Sequence, residues 1–89
     1  MQTCKLVIAN PRGLHAQACS RIVNIATHCR CKLSLVVKGR RASARNIIAL
    51  MLLTASMGAT LRVEAEGPDE EVAMRQIVAL FSDGLGERR

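Results

Sequence analysis

PRGLHAQACSRIV, residues 11–23, joins a turn to a helix and leaves one histidine, His15, at the junction. Pro11 cannot continue a central strand and Gly13 permits backbone angles that other residues avoid, so NPRG (residues 10–13) reads as a turn. From Ala16 the apolar positions take helical spacing, with Cys19, Ile22, Val23 and Ala26 on one face. That helix is expected to end near Thr27 or His28. A histidine at such a start is either a capping side chain or a group placed where a helix can hold an anion.

Outward from this junction the periodicity switches repeatedly. CKLVIA (residues 4–9) alternates, placing Cys4, Leu6 and Ile8 on one face of a first strand. KLSLVVK (32–38) turns Leu33, Leu35 and Val37 inward, and KGRRASA (38–44) reads as a tight turn into a short basic strand, completing a hairpin. NIIALMLLTASMG (46–58) begins at a capping candidate, Asn46, and predicts a helix that stops at Gly58. TLRVEAEG (60–67) alternates again, with Leu61, Val63 and Ala65 on one face. Pro68 and Asp69 open a last helix whose buried stripe is Ala73, Ile77, Leu80 and Phe81, and DGLGE (83–87) closes it. The order strand, helix, two strands, helix, strand, helix predicts an α+β domain. It is a four-stranded, mainly antiparallel sheet with three helices on one face and the other face open. The outward positions Lys5, Ser34, Val36, Arg62 and Glu64 are mostly polar, as an open face requires.

At 89 residues and 49% hydrophobic, the chain supports one domain, expected over residues 1–89, with one core. Phe81 is the single aromatic residue, so the core is aliphatic. No apolar run approaches the roughly 20 residues needed to span a bilayer. MQTCKLVIAN lacks the pattern of a signal peptide, which gives a cytoplasmic expectation with no membrane insertion. Reduced thiols are then the default for Cys4, Cys19, Cys29 and Cys31. HCRC (28–31) lacks the second ligand pair that zinc sites show, so no metal and no cofactor are expected. The net charge of +6 is uneven: residues 1–63 carry ten Lys or Arg and no acid, whereas residues 64–89 carry seven acids and three arginines. Such a field favours acidic partners. Nucleic acid is not expected among them, because single-strand readers add aromatic stacking platforms that this chain lacks.

At the helix start, unpaired N–H groups and the positive end of the dipole gather an anion beside His15. Phosphoryl transfer depends chiefly on positioning and charge stabilisation, so an imidazole with an open lone pair there suits accepting a phosphoryl group. Local residues alone leave the capping reading open, although Asp, Asn and Ser are better caps. Four blocks in order add to the case: GLHA, KGRRASARNIIAL, GATLRVEAEGPDEEVA and LFSDGLGE. Together they resemble the histidine-containing phosphocarrier (HPr) family of the bacterial phosphoenolpyruvate-dependent phosphotransferase system, over essentially the whole chain. The resemblance implies an open-faced β-sandwich. It also implies a histidine, here His15, phosphorylated on Nδ1 by enzyme I and relayed to an acceptor enzyme II domain, in sugar uptake or a regulatory branch. The protein is then a monomeric phosphoryl-relay protein rather than a complete enzyme.

Three departures from the family pattern bear on that reading. After GLHA the family usually has arginine and proline, where this chain has Gln17 and Ala18. Loss of the arginine removes charge-assisted contacts of roughly 1.5–3 kcal/mol. Arg12, three residues before His15, is the candidate replacement, so Arg12, Ala16 and Gln17 form the expected phosphate-stabilising set. The serine that many members carry at the second helix start is Asn46, which caps a helix and cannot be phosphorylated. By the same resemblance, the partner-docking positions are Ser20, Arg21, Asn24, Ile47, Ile48 and Met51, with Leu50 and Leu53 facing the core. The alternative is a degenerate member that binds partners as a regulator without efficient phosphotransfer.

Overall fold

In the first strand, β1 (Gln2–Val7), side chains alternate between half-buried and exposed, with Cys4 and Leu6 turned inward. The computed structural model describes residues 1–86. A turn leads from β1 to α1 (Ala16–Thr27), then β2 (Lys32–Val37), β3 (Arg40–Ser43), α2 (Ile47–Leu52), β4 (Thr60–Glu66) and α3 (Glu70–Ser82), followed by a 3-10 turn over Gly84–Gly86. Glu87, the end of the closing DGLGE block, lies outside the described residues.

The sheet order is β1-β4-β2-β3 and every neighbouring pair is antiparallel. β1 and β2 therefore run parallel to each other with β4 between them, and β3 and β4 run parallel with β2 between them. α1 and α2 are the crossovers of these two interlocked units. β4 holds the register, pairing Val63 with Cys4 on one side and with Leu35 on the other. The β2–β3 hairpin turns through Lys38 and Gly39, both at positive φ (50° and 78°), the pairing that suits a two-residue hairpin loop.

Leu33, Leu35, Val37, Leu61, Val63 and Ala65 bury the inner sheet face against the helices. α1 contributes Ala18, Cys19, Ile22 and Ala26, while Val23 is only half-buried. α3 contributes Ala73, Met74, Ile77 and Phe81. Leu80, expected in that stripe, is half-buried, and Met74 takes the deeper position. Burial pushes the Cys19 thiol above its ordinary range and the Cys31 thiol up to about 12. Both thiols keep their protons at neutral pH.

On the open face, Glu64 accepts from Arg41 and from Arg62 Nε, the latter at 2.9 Å, and the two guanidinium groups hold its carboxyl below the usual range. Val36 shares this face yet is only 8% exposed. Its cross-strand neighbours are Arg41 and Arg62, whose aliphatic stems flank it.

The second helix is shorter than its sequence predicts. α2 ends at Leu52 and Thr54 takes a left-handed conformation (φ 51°), so the chain leaves the helix before Gly58. Tertiary hydrogen bonds account for this. Arg40 donates to the carbonyls of Leu52 (2.9 Å) and Leu53 (3.0 Å), closing the helix end. Ala55 accepts from Leu14 N–H at 2.9 Å, and Gly58 N–H donates to Ile8 at 2.8 Å. A continued helix would have taken these groups for its own ladder.

Candidate functional site

Residues 10–15 form a turn stitched by short-range bonds. Gly13 N–H donates to Asn10 O at 3.2 Å, and buried Asn10 returns Nδ2 to Gly13 O at 2.9 Å. Gly13 sits at φ 64°, pressed against the 55–56 backbone. A Cβ there would lie 2.5 Å from the Ala55 oxygen and 2.8 Å from Ser56 Cα. Glycine is required twice over, by conformation and by space. The close approach lets Leu14 N–H reach Ala55 O and delivers the next residue to the head of α1.

That residue is His15. It is the N-cap of α1, extended at φ −84° and ψ 175°, and its side chain makes no capping hydrogen bond. The first ladder bond is Cys19 N–H to His15 O, at 2.9 Å, so the amides of Ala16, Gln17 and Ala18 precede the ladder. No acidic side chain lies in the first turn. Neither ring nitrogen of His15 meets solvent, and neither has a hydrogen-bond partner among the described residues. An unsatisfied buried polar group costs about 1–3 kcal/mol, so an imidazole left this way calls for a ligand or a functional reason. Turning the ring outward about its side-chain bonds is what would bring a nitrogen within reach of another molecule.

Arg12, Ala16 and Gln17 are all exposed around this position, Arg12 on the turn and the other two in the first helical turn. Ser20 and Asn24 continue the exposed face of α1. Arg21 is half-buried: its guanidinium donates to Leu85 O at 3.1 Å, and a Cβ on Gly86 would fall 2.7 Å from its Nε. Gly86 thus leaves room for the Arg21 head.

α1 packs against α2, which brings a second group of expected residues beside the first. Asn46 caps α2, its Oδ1 accepting from Ala49 N–H at 3.0 Å. Leu50 and Leu53 are buried, Ile47 is half-buried, and Ile48 and Met51 are 62% and 39% exposed. The sequence reading missed Leu52 and Met57, 65% and 58% exposed, which enlarge the solvent-facing apolar surface. For Leu52 the signal was present in the unbroken apolar run IIALMLL (47–53), which a single short helix has too little inward face to bury. The Arg45 guanidinium, just before the α2 cap, turns back to the carbonyls of Cys29 and Cys31.

An open-faced α+β sandwich with an unpartnered histidine heading its first helix defines the structural class. A family model described as the PTS HPr component phosphorylation site matches residues 2–83. The phosphocarrier protein HPr of Xylella fastidiosa (strain 9a5c) is 36% identical over 83 residues, 93% of either chain. The phosphocarrier protein NPr of Escherichia coli (strain K12) is 33% identical over 81 residues, 90% of either chain. Among solved structures, HPr-C-His from Thermoanaerobacter tengcongensis is similar at a TM-score of 0.94 and 29% identity, covering all of both chains. The chain belongs to the HPr family of the phosphotransferase system. That membership supports a phosphocarrier role. No helix among the described residues is long and apolar enough to cross a membrane.

The placement of α2 yields a contrast. Ile48→Asp should leave the thermal unfolding free energy within about 0.5 kcal/mol of wild type, as surface changes generally do. Leu50→Asp, burying an unpaired carboxylate, should abolish cooperative unfolding. Circular dichroism melts check both, and equal loss in the two variants would contradict the assigned faces.

Proposed function

We propose that His15 accepts a phosphoryl group from phospho-enzyme I and relays it to an acceptor enzyme II-type domain, in the cytoplasm, as a monomer. The observation that carries this reading is an unpartnered imidazole at the head of α1, beside first-turn amides that precede the helical ladder. In the transfer, the Nδ1 lone pair attacks phosphorus as the bond to the donor breaks. The dianionic product lies against the amides of Ala16 and Gln17 at the positive end of the helix. The Gln17 side chain donates an N–H without charge, and Arg12 supplies the cation that the family's arginine otherwise brings.

The exposed face carrying Ser20 and Asn24, with Arg21 behind it and Ile47, Ile48 and Met51 beside it on α2, supplies the docking surface. Ten cationic and no acidic side chains in residues 1–63 complement acidic partners. Asn46 at the α2 cap removes the hydroxyl that a serine kinase would need. Relatives named HPr and NPr match at 36% and 33% identity, so the phosphoryl relay is common to both readings of the branch, sugar uptake or regulatory.

A second reading, a partner-binding regulator without efficient transfer, draws on the shielding of both ring nitrogens and on Gln17 and Ala18 in place of arginine and proline. Intact-mass spectrometry after incubation with enzyme I and phosphoenolpyruvate separates the two. One phosphoryl group should be added to wild type and none to His15→Ala, with His28→Ala labelled normally. Labelling that survives His15→Ala, or no labelling of wild type at high enzyme I, would contradict the carrier.

The phosphate-stabilising set has its own test. Arg12→Ala should slow transfer and Gln17→Arg should restore much of that loss in the double variant. Strictly additive effects on the transfer rate would show that the two positions do not share the phosphoryl group.

A further inference from the structure

At the other end of α1, the CRC turn (residues 29–31) is more elaborately built than a helix-to-strand junction requires. Cys29 and Cys31 are both free thiols with their Sγ atoms 3.2 Å apart. The turn that carries them is fixed from three sides. Arg45 donates to Cys31 O at 3.0 Å and to Cys29 O at 2.8 Å. Arg30 N–H donates to Asp69 Oδ2 at 2.8 Å. Gly67 lies so close that a Cβ there would fall 2.6 Å from Cys31 Cα.

Asp69 is the unusual member. It occupies the N-cap position of α3 yet makes no side-chain capping bond, the contact an aspartate ordinarily supplies there. Its carboxylate is instead turned to the CRC turn. Oδ1 is buried and has no hydrogen-bond partner among the described residues. One ligand atom from each of Cys29, Cys31 and Asp69 lies within 4.8 Å of the other two.

We propose that Cys29, Cys31 and Asp69 form a binding site for one thiophilic divalent cation of the zinc type, with the fourth position open to water. Two thiolates and a carboxylate select zinc or cadmium over magnesium or calcium, whose preferred ligands are all oxygen. The charges match as well. Three anionic ligands around a dication leave one negative charge, and the Arg45 guanidinium, 4.0 Å from Cys29 Sγ, offsets it. Sulfurs bound tetrahedrally at about 2.3 Å stand about 3.8 Å apart, so small side-chain rotations open the pair enough to seat the ion. His28, though adjacent in sequence, is not among the residues whose ligand atoms gather within 4.8 Å of one another. The sequence expectation of no metal rested on the missing second ligand pair. The fold supplies a third donor that spacing along the chain does not reveal.

The bound ion links the end of α1, the start of β2 and the start of α3. The twelve residues of α1 place it about 18 Å along the helix from His15, so its effect is on stability rather than on transfer. Metal uptake releases the thiol protons and stabilises the folded chain by mass action.

The test is titration of reduced, metal-free protein with cadmium under a non-thiol reductant. It is followed by the thiolate-to-metal charge-transfer band in the ultraviolet and by metal analysis after dialysis. The expected result is one ion per chain, displaceable by zinc, with the band lost in Cys29→Ser and Cys31→Ser. Asp69→Asn should weaken binding at least about tenfold. Zinc should raise the melting temperature of wild type but not of the cysteine variants, while circular dichroism confirms that the variants fold. No stoichiometric uptake would overturn the site, as would uptake indifferent to the cysteine substitutions. Binding unaffected by Asp69→Asn would reduce it to a bare dithiol and overturn the three-donor assignment.

Discussion

The contact between Gly13 and the 55–56 backbone joins the two halves of this small fold. Through it, the Leu14 amide reaches the Ala55 carbonyl across more than forty residues of sequence. The hydrogen bond settles two boundaries at once. It stops the chain after α2 from continuing as helix, because Ala55 is occupied, and it fixes the backbone from which α1 starts. His15 is the first residue beyond that anchor. Its position at the helix head follows from a backbone-to-backbone approach that tolerates no side chain at residue 13.

Chemistry and packing divide along α1. At its head, a rigid turn sets an unpartnered, shielded imidazole beside amides that precede the helical ladder; with the ring turned outward, this is the arrangement that electrostatic stabilisation of a transferred anion requires. At its tail, the CRC turn is held by Arg45, Asp69 and Gly67 and carries none of the docking positions. The apolar side chains that α2 leaves in solvent lie beside the head. A domain this small exposes such a surface at a cost in solubility, which is consistent with a face that partners cover.

The strands and their inward faces were legible in the sequence because period-2 alternation and paired turn residues report the same register that the sheet adopts. Leu33, Leu35, Leu61 and Val63 are buried as read. Asn46 was legible as a cap because its function is local. The end of α2 was not, since an apolar run closed by glycine says helix, and only the Arg40 cap and the Leu14–Ala55 bond overrule it. Val36 was read as outward and is, yet it is buried between its cross-strand neighbours Arg41 and Arg62, which alternation alone does not register. The histidine and its neighbours were legible from GLHA, but the shielding of both ring nitrogens depends on rotamer and packing. The convergence of Asp69 on two cysteines from the far side of the chain was hidden for the same reason. Sequence spacing does not record which distant backbone segments close on each other.

The central claim is that the Gly13 backbone approach is what presents His15 at the helix head. It is tested most directly by measuring the rate of phosphoryl acceptance from enzyme I in Gly13→Ala beside its unfolding free energy. The added methyl should displace the turn from Ala55, lowering stability by about 1–3 kcal/mol. It should also slow acceptance in the protein that remains folded. Wild-type stability and a wild-type acceptance rate in Gly13→Ala would contradict the account.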